Sequence, residues 1–144
     1  MKKRIWLELF LIALFIFFDR LSKFLVSSKL TLFKTYGMFT YVINRGAGFG
    51  ILQNKSFYLG IFNFVMVAFI IFFYQKYYKN KTLLSTFAYS LLVSGALSNG
   101  YDRIVYGYVV DFINWRVWPI FNLADSFVVA SAIGVVIIII WKKY

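Results

Sequence analysis

Carboxylates are scarce in this chain, and their positions indicate where chemistry can occur. The 144 residues include four aspartates and one glutamate. All four aspartates, Asp19, Asp102, Asp111 and Asp125, lie in or beside apolar stretches of membrane-crossing length. An ionisable group at membrane depth costs about 2.5–3.5 kcal/mol on insertion scales. Acids retained in such places are therefore candidates for catalysis or for ion pairing.

Asp111 and Asp125 are the best candidates for a catalytic pair. Asp111 stands in the sequence VVDF, and apolar surroundings raise the pKa of a carboxyl because they disfavour its charge. Asn122 is suited to cap a helix, and Asp125 would then lie in the first turn, where the helix dipole favours an anion. When one carboxyl is shifted towards its neutral form and the other towards its ionised form, the two can act as acid and base around one water. The alternative is that Asp125 is only a first-turn acid and Asp111 only a surface loop residue.

The other charged groups of the apolar stretches are interpreted as structural. Asp19 and Lys23 are four residues apart, so on a helix they share one face and can form an ion pair. Asp102 and Arg103 are adjacent and opposite in charge, and we interpret them as an ion-pair and hydrogen-bond hub. We expect Asp102 to be the partner that keeps Arg103 from being an unpaired buried charge.

The composition excludes several classes of site. The chain has no cysteine and no histidine, so thiol nucleophiles, disulfides, a Ser-His-Asp triad and histidine-ligated zinc are excluded. Hydrophobic residues make up 62% of the chain, and the formal net charge is +11. In a soluble protein that charge would suggest nucleic acid. Here the lysines cluster where apolar stretches end, so we expect membrane lipids and no nucleic acid as partners.

Four apolar stretches predict an all-α polytopic membrane protein. They lie at residues 5–26, 57–74, 83–104 and 120–141, within a single domain of residues 1–144. The basic start followed by an apolar run resembles a secretory signal. The run ends in Phe18, Asp19 and Arg20 and lacks a small-residue cleavage site, so we expect a retained first span.

The segment at residues 27–56 has a different character. It contains the strand-forming sequence TYVI, followed by Gly46, Gly48 and Gly50. Glycines permit turns and close approach of the backbone. We therefore expect a small β-like platform between helices 1 and 2, resting on the membrane surface.

Five ordered sequence elements resemble those of the lipoprotein signal peptidases, the type II signal peptidases of bacteria. The elements are D-x-x-x-K, N-x-G-x-x-F, G-x-x-x-N-x-x-D-R, V-x-D-F and F-N-x-A-D. They are carried here by Asp19 and Lys23; by Asn44, Gly46 and Phe49; by Gly95, Asn99, Asp102 and Arg103; by residues 109–112; and by Phe121, Asn122, Ala124 and Asp125. The departures are small: Gly48 and Gly50 stand where the family commonly has alanine and serine or glycine.

The resemblance implies an activity and a substrate. It implies an intramembrane aspartic endopeptidase that cuts diacylglyceryl-modified prolipoproteins just before the lipidated cysteine, with Asp111 and Asp125 as the catalytic residues. It implies no cofactor and no metal, a monomer, and a place in the bacterial cytoplasmic membrane. The residues expected to support the pair or the substrate are Asn44, Gly46, Phe49, Asn99, Arg103 and Asn122. The residues expected to be structural are Asp19, Lys23 and Asp102.

Two alternatives come from other classes of protein. A small proton-relay or scaffold subunit would also carry intramembrane acids, but a relay should distribute them through the depth of the bilayer. Here Glu8 alone lies towards the other side. A serine-lysine peptidase would need a serine beside Lys23, and Ser22, which is adjacent in sequence, points to a different helix face.

The distribution of basic residues predicts the topology. Eight basic residues lie on the side of the N-terminus and five on the opposite side, so both termini should be cytoplasmic and the aspartates near the outer leaflet. Reporter fusions at residue 144 and near Lys79 should report the cytoplasm, and a fusion near Lys34 should report the outside. A cytoplasmic signal at Lys34 would contradict four spans.

Overall fold

Four long helices and a small sheet make up the computed structural model, which describes residues 2–30, 35–48, 51–78 and 81–143. The helices are α1 (Lys2–Leu30), α2 (Ser56–Tyr77), α3 (Leu83–Val105) and α4 (Leu123–Lys143). The strands are β1 (Thr35–Tyr36), β2 (Phe39–Asn44) and β3 (Val109–Ile113). Each predicted apolar stretch coincides with one helix, so the predominantly helical fold class is confirmed.

Helix α3 is the centre of the bundle and packs against each of the other three helices. Small residues on α3 allow this. A Cβ on Gly95 would lie 2.5 Å from the backbone oxygen of Ala124, so α3 and α4 meet at backbone distance. A Cβ on Gly100 would lie 3.0 Å from Cβ of Asn63 on α2. The close helix packing that these small residues predict is therefore present on two sides of α3.

The sheet is antiparallel, in the order β1-β2-β3. Strands β1 and β2 come from the segment expected to form the platform. Strand β3 comes from the connection between α3 and α4, and it pairs Asp111 with Val42 and Val109 with Asn44. Asp111 therefore lies on a buried strand, and the alternative that it is only a surface loop residue is wrong.

Helix α4 begins three residues later than its apolar stretch predicts. The backbone of Phe121 is tied to the end of β3: Phe121 O accepts from Ile113 N at 2.7 Å, and Phe121 N donates to Ile113 O at 3.2 Å. The chain therefore turns into the helix only at Asn122. This delay makes Asn122 the residue before the first turn, and it puts Asp125 in that turn, as expected.

Within the described residues, two helices are long and apolar enough to cross a membrane: Ser56–Tyr77, and Leu123–Trp141 of α4. Helices α1 and α3 carry more polar groups, but many of these face each other inside the bundle. The outward face of α1 is apolar, and its exposed side chains include Trp6, Phe10 and Phe24. The polarity of α1 and α3 is therefore largely internal.

A buried ion-pair cluster joins α1 to α3 at the end of the bundle that carries the sheet. Lys23 Nζ lies 2.7 Å from Asp19 Oδ2, the pair that the four-residue spacing predicts, and 2.7 Å from Asp102 Oδ2. Arg20 also forms an ion pair with Asp102. The expectation that Asp102 pairs with Arg103 is wrong. Neighbouring helical residues point about 100° apart, so Asp102 faces α1 while Arg103 faces another direction.

A second polar cluster holds the opposite end of the bundle. Glu8 on α1 is buried and accepts hydrogen bonds from Gln75 Nε2 at 2.9 Å and from Lys81 Nζ at 3.1 Å. Between the two polar ends lies an apolar core of Val67, Tyr89 and Val93. The bundle is therefore fastened by polar contacts at both ends and by apolar packing between them.

The ion-pair cluster predicts an unequal response to two related variants. Asp102→Asn puts one amide between two donor-only cations, so one of them loses its acceptor. The cost is about 3–5 kcal/mol if that cation is the buried Lys23, and smaller if it is Arg20, whose side chain is 33% exposed. The double variant Arg20→Met/Asp102→Asn removes one cation together with the acid. We expect Asp102→Asn to have the lower thermal unfolding midpoint in detergent. Equal midpoints would show that the cluster contributes little to stability.

Candidate active site

Asp111 and Asp125 reach one cavity from two different elements. Asp111 projects from β3 and is 4% exposed, and Asp125 projects from the first turn of α4. Both line a cavity of about 880 Å³ that also receives side chains from α2, α3 and β2. The structure therefore brings together the two carboxyls that the sequence singles out.

Asp125 is oriented by the start of its own helix. Asn122 Oδ1 accepts from Asp125 N at 2.9 Å, and Asp125 Oδ2 accepts from Asn122 N at 3.1 Å. This reciprocal pair of bonds is a capping box, which satisfies two backbone donors that a helix start otherwise leaves free. The cap expected at Asn122 is confirmed, and it also fixes the position of Asp125.

A third backbone N–H at the start of α4, that of Ala124, donates a hydrogen bond to an acid on another helix. Asp19 Oδ1 accepts from Ala124 N at 2.8 Å, while Asp19 Oδ2 accepts from Ser98 Oγ at 2.5 Å. Asp19 is fully buried. The ion-pair cluster of α1 and α3 therefore also determines where α4 begins, and hence where Asp125 lies.

Asp111 is held by two side-chain amides. Its Oδ1 accepts from Asn122 Nδ2 at 2.7 Å, and its Oδ2 accepts from Asn44 Nδ2 at 2.9 Å. Asn44 is itself held by a turn, since its Oδ1 accepts from Gly46 N at 2.9 Å. Asn44 was expected to support the pair or the substrate. In the structure it contacts the carboxyl group of Asp111.

Three side-chain amides surround the carboxyl pair, those of Asn44, Asn99 and Asn122. The orientation of each follows from a neighbouring group that can donate a hydrogen bond but cannot accept one. A backbone N–H fixes the oxygen of Asn44 and another fixes that of Asn122, while the Lys23 ammonium fixes that of Asn99 at 3.0 Å. Each amide must then direct its NH₂ group towards a carboxyl, and Asn99 Nδ2 lies 2.8 Å from Asp125 Oδ1. Every carboxyl oxygen of the pair thus accepts one N–H bond, which favours a negative charge on the pair.

Burial and mutual repulsion oppose that negative charge. Removal from water and, to a smaller extent, the neighbouring charge of Asp125 raise the pKa of Asp111, which lies at about 6 once all effects are combined. The hydrogen bonds from Asn44 and Asn122, and the charge of Lys23, partly offset these effects. Since two nearby carboxyls cannot both ionise easily, the pair is suited to keep one proton near neutral pH.

Arg103 brings an uncommitted positive charge to the same cavity. Its Nη2 donates to Gly46 O at 3.1 Å and its Nη1 to Asn99 O at 3.3 Å. Both acceptors are neutral, and Nε has no hydrogen-bond partner among the described residues. The charge of Arg103 faces Asp111 and Asp125 without forming an ion pair with either of them.

Gly46 allows the platform to fold closely over this arginine. A Cβ on Gly46 would lie 2.5 Å from the backbone oxygen of Ile51, so a side chain does not fit at this position. Its N–H holds Asn44 and its carbonyl holds Arg103. Phe49, which was also expected to support the pair or the substrate, lies outside the described residues.

The apolar wall of the cavity was not identified from the sequence. It runs between α2 and α4 across the face of α3, and its apolar lining comprises Phe62, Met66, Ile70, Leu92, Val128 and Val129. Asn63 also lines it and donates to Ala96 O at 3.3 Å. Asn63 interrupts an otherwise apolar stretch of α2, and that interruption was the available signal. The apolar residues of the wall gave no such signal in the sequence, because the rest of the α2 stretch is apolar too.

Comparisons with known proteins agree with one another. A profile of the signal peptidase (SPase) II family matches residues 11–142. The lipoprotein signal peptidase of Halothermothrix orenii is 38% identical over 123 residues, which cover 85% of this chain and 83% of that protein. The lipoprotein signal peptidase of Fusobacterium nucleatum is 40% identical over 144 residues, which cover 94% of this chain and 84% of that protein.

Solved structures give the same result for the fold. One bacterial membrane enzyme, determined by the in meso method at 2.3 Å resolution, superposes with a TM-score of 0.78 at 29% identity, covering 94% of this chain and 88% of that one. A second, determined at 1.9 Å, gives a TM-score of 0.75 at 30% identity, covering 92% and 91%. The chain belongs to the signal peptidase II family, that of the lipoprotein signal peptidases.

Proposed function

We propose that this protein is an aspartic endopeptidase that removes the signal peptide of diacylglyceryl-modified prolipoproteins by cutting just before the lipidated cysteine. One observation carries the aspartic mechanism. Asp111 and Asp125 come from separate elements, are each held by amide donors and line one cavity. That is the arrangement which two carboxyls need to share a proton and a water molecule.

The mechanism follows from the coupled pair. The ionised carboxyl accepts a proton from a water molecule, and the protonated carboxyl donates a hydrogen bond to the scissile carbonyl oxygen. Attack of the water oxygen on the carbonyl carbon gives a tetrahedral intermediate, and the amine leaves with the proton that the first carboxyl took up. The carboxyl that took up the proton of water is ionised again once the amine has left, so the pair ends the turnover with the single proton it started with, and the apparent pKa values belong to the pair.

Arg103 is suited to stabilise the charge that develops during this reaction. Its guanidinium makes hydrogen bonds to neutral carbonyls in a partly buried position, so its charge is not cancelled by an adjacent carboxylate. Positive charge fixed in a site of low dielectric favours a developing oxyanion at little cost in reorganisation. Asn44, Asn99 and Asn122 contribute by keeping both carboxyl groups in position.

The cavity favours a substrate with an apolar anchor. Its polar end contains the two carboxyls and Arg103, and its wall continues along α2 and α3 as far as Ile70 and Leu92. Leu92 is seven residues from Asn99, which corresponds to about 10 Å along a helix. An acyl chain can lie against this wall while the peptide bond next to the modified cysteine reaches the carboxyls.

Four membrane spans accommodate this arrangement. Helices α1 and α3 present apolar side chains outward while their acids and bases pair internally, so they can accompany α2 and α4 across the bilayer. With both termini in the cytoplasm, the carboxyl pair lies at the outer leaflet of the bacterial cytoplasmic membrane. A monomer suffices, since one chain supplies every group of the mechanism.

The apolar core argues against a proton relay. Val67 and Val93 are almost fully buried between the Glu8 cluster at one end and the carboxyl pair at the other. A relay needs hydrogen-bonding groups in succession through the depth of the bilayer. The distribution of polar groups therefore favours hydrolysis at one face of the membrane.

The carboxyl pair predicts a steep loss of cleavage in single variants. Asp111→Asn or Asp125→Asn keeps side-chain size but cannot exchange a proton, so either change should lower turnover by at least about a thousandfold, and the double change should add little. The assay is cleavage of a diacylglyceryl-modified prolipoprotein by purified protein in detergent, with a metal chelator present throughout.

The matched control for this loss is Glu8→Gln. It makes the same chemical change in a buried acid at the opposite end of the bundle, and it should leave the turnover number within about threefold. Substantial cleavage by either aspartate variant would exclude the pair mechanism. Inhibition of the unmodified protein by chelator alone would indicate a metal held by these carboxyls.

The raised pKa of Asp111 predicts the pH response of an Asn44 variant. Cleavage should decline as rising pH removes the shared proton. The bond from Asn44 Nδ2 favours the charged form of Asp111, so Asn44→Ala should raise its pKa and move the alkaline limb of kcat/KM to higher pH. Asn114→Ala, which removes a bond to Thr40 in the same sheet, is the control and should leave the limb in place. A limb that moves to lower pH would contradict this account.

A further inference from the structure

The ammonium group of Lys23 has a contact that an ion pair does not require. Lys23 is 3% exposed, and its Nζ lies 2.7 Å from Asp19 Oδ2, 2.7 Å from Asp102 Oδ2 and 3.0 Å from Asn99 Oδ1. An ammonium group has three N–H donors, so each contact can use one of them. Two donors hold the structural acids, and the third reaches the carboxamide that contacts Asp125.

This third contact determines which way Asn99 faces. The two ends of a carboxamide are nearly equal in size, and its orientation follows from its hydrogen-bond partners. Lys23 only donates, so it requires the oxygen of Asn99, and Nδ2 is then directed to Asp125 Oδ1 at 2.8 Å. Asn122 Nδ2 donates one N–H to Asp111 and its second N–H to the same Asn99 oxygen, at 3.2 Å, a longer contact than that from Lys23. Without Lys23, the oxygen of Asn99 keeps only the longer bond from Asn122, so Asn99 is held less firmly against Asp125.

We propose that Lys23 is a positioning residue for the catalytic pair, which acts through Asn99 to keep a hydrogen-bond donor on Asp125. This inference rests on the proposed aspartic mechanism. It assigns Lys23 a role beyond the structural one that its pairing with Asp19 suggests. The contact links the fold of α1 to the chemistry at the start of α4.

The charged groups that face the carboxyl pair predict the effect of removing Lys23. Asp111 on β3 faces Asp125 on α4, Lys23 on α1 and Arg103 on α3. The charge of Lys23 favours the ionised form of Asp111, and so lowers its pKa relative to burial alone. Loss of Lys23 should therefore free the amide of Asn99, which lowers kcat, and raise the pKa of Asp111, which moves the pH profile upward.

Two charge-balanced double variants separate positioning from stability. Lys23→Met/Asp19→Asn removes one buried ion pair together with the donor to Asn99. In it, Asn at residue 19 can still accept from Ala124 N and donate to Ser98. Arg20→Met/Asp102→Asn removes a neighbouring ion pair of the same cluster but leaves Lys23 in contact with Asp19 and Asn99.

The expected result is a difference in kinetics between two variants of lowered stability. Lys23→Met/Asp19→Asn should lose at least about tenfold in kcat with KM changed less than about threefold, and its alkaline limb should move to higher pH. The control, Arg20→Met/Asp102→Asn, should keep kcat within about threefold of the wild-type value and should keep the wild-type pH profile. The same kcat and profile in both double variants would overturn the proposal.

A second variant applies if the first does not fold. Lys23→Arg keeps a positive charge between the two acids, so a purely structural role predicts an unchanged kcat. The planar fork of a guanidinium does not reproduce three donors radiating from one nitrogen, so positioning through Asn99 predicts a fall of at least about tenfold in kcat. A wild-type kcat in this variant would overturn the proposal.

A measurement without substrate separates this inference from the proposed function. The carboxyl-carbon NMR signal of Asp111, assigned by its absence in Asp111→Asn, reports the titration of the pair even if the protein cleaves no prolipoprotein. Its midpoint should lie at higher pH in Lys23→Met/Asp19→Asn than in Arg20→Met/Asp102→Asn. Coincident midpoints would overturn the role of Lys23, whereas absence of cleavage by the wild type would overturn only the proposed function.

Discussion

The start of α4 is the interaction on which the rest of the site depends. Asn122 caps the helix through its side-chain oxygen, and through its NH₂ group it holds Asp111. Asp125 completes the cap from the other side. The same groups that satisfy the backbone of a helix end therefore set the geometry of the carboxyl pair. A capping box is usually a local device for stability. Here it also positions the two carboxyls that the proposed mechanism uses.

Buried polar groups explain why this helix start is so closely fixed. A buried donor or acceptor without a partner costs about 1–3 kcal/mol, and a buried charge costs more. Asp19 meets this requirement by accepting from Ser98, from Lys23 and from the backbone of α4. Three helices are thus joined at one carboxylate, and a shift of any one of them would leave a charged group unsatisfied.

The need to satisfy buried charges also distinguishes two kinds of acid at this end of the bundle, those that stabilise the fold and those of the proposed mechanism. Asp102 and Asp19 are neutralised by Lys23 and Arg20, and their charges are balanced within the fold. Asp111 and Asp125 receive amide donors instead of a cation in direct contact. Amides orient a carboxyl without cancelling its charge, so the pair remains able to exchange a proton. The positive charge of Arg103 stays close but is held by carbonyl groups.

The sequence determined the four helices and most of the polar residues of the site. Helical apolar stretches need only local hydrophobicity, and the Asp19–Lys23 pair and the cap at Asn122 depend on spacings of three or four residues along one helix. These features are local, so a single chain reveals them. The same reasoning failed for Asp102 and Arg103, because adjacency in sequence does not place two helical side chains on one face.

Only the tertiary structure decided the partners that come from different elements. Asp102 faces Lys23 and Arg20 from α1, the connection between α3 and α4 supplies a third strand that was not predicted, and Asn99 joins Lys23 to Asp125. The apolar wall of the cavity likewise depends on how α2 and α4 lie beside α3. Contacts between distant segments are set by the mutual packing of helices and by the need to pair every buried charge, and neither is encoded in the order of residues along one helix.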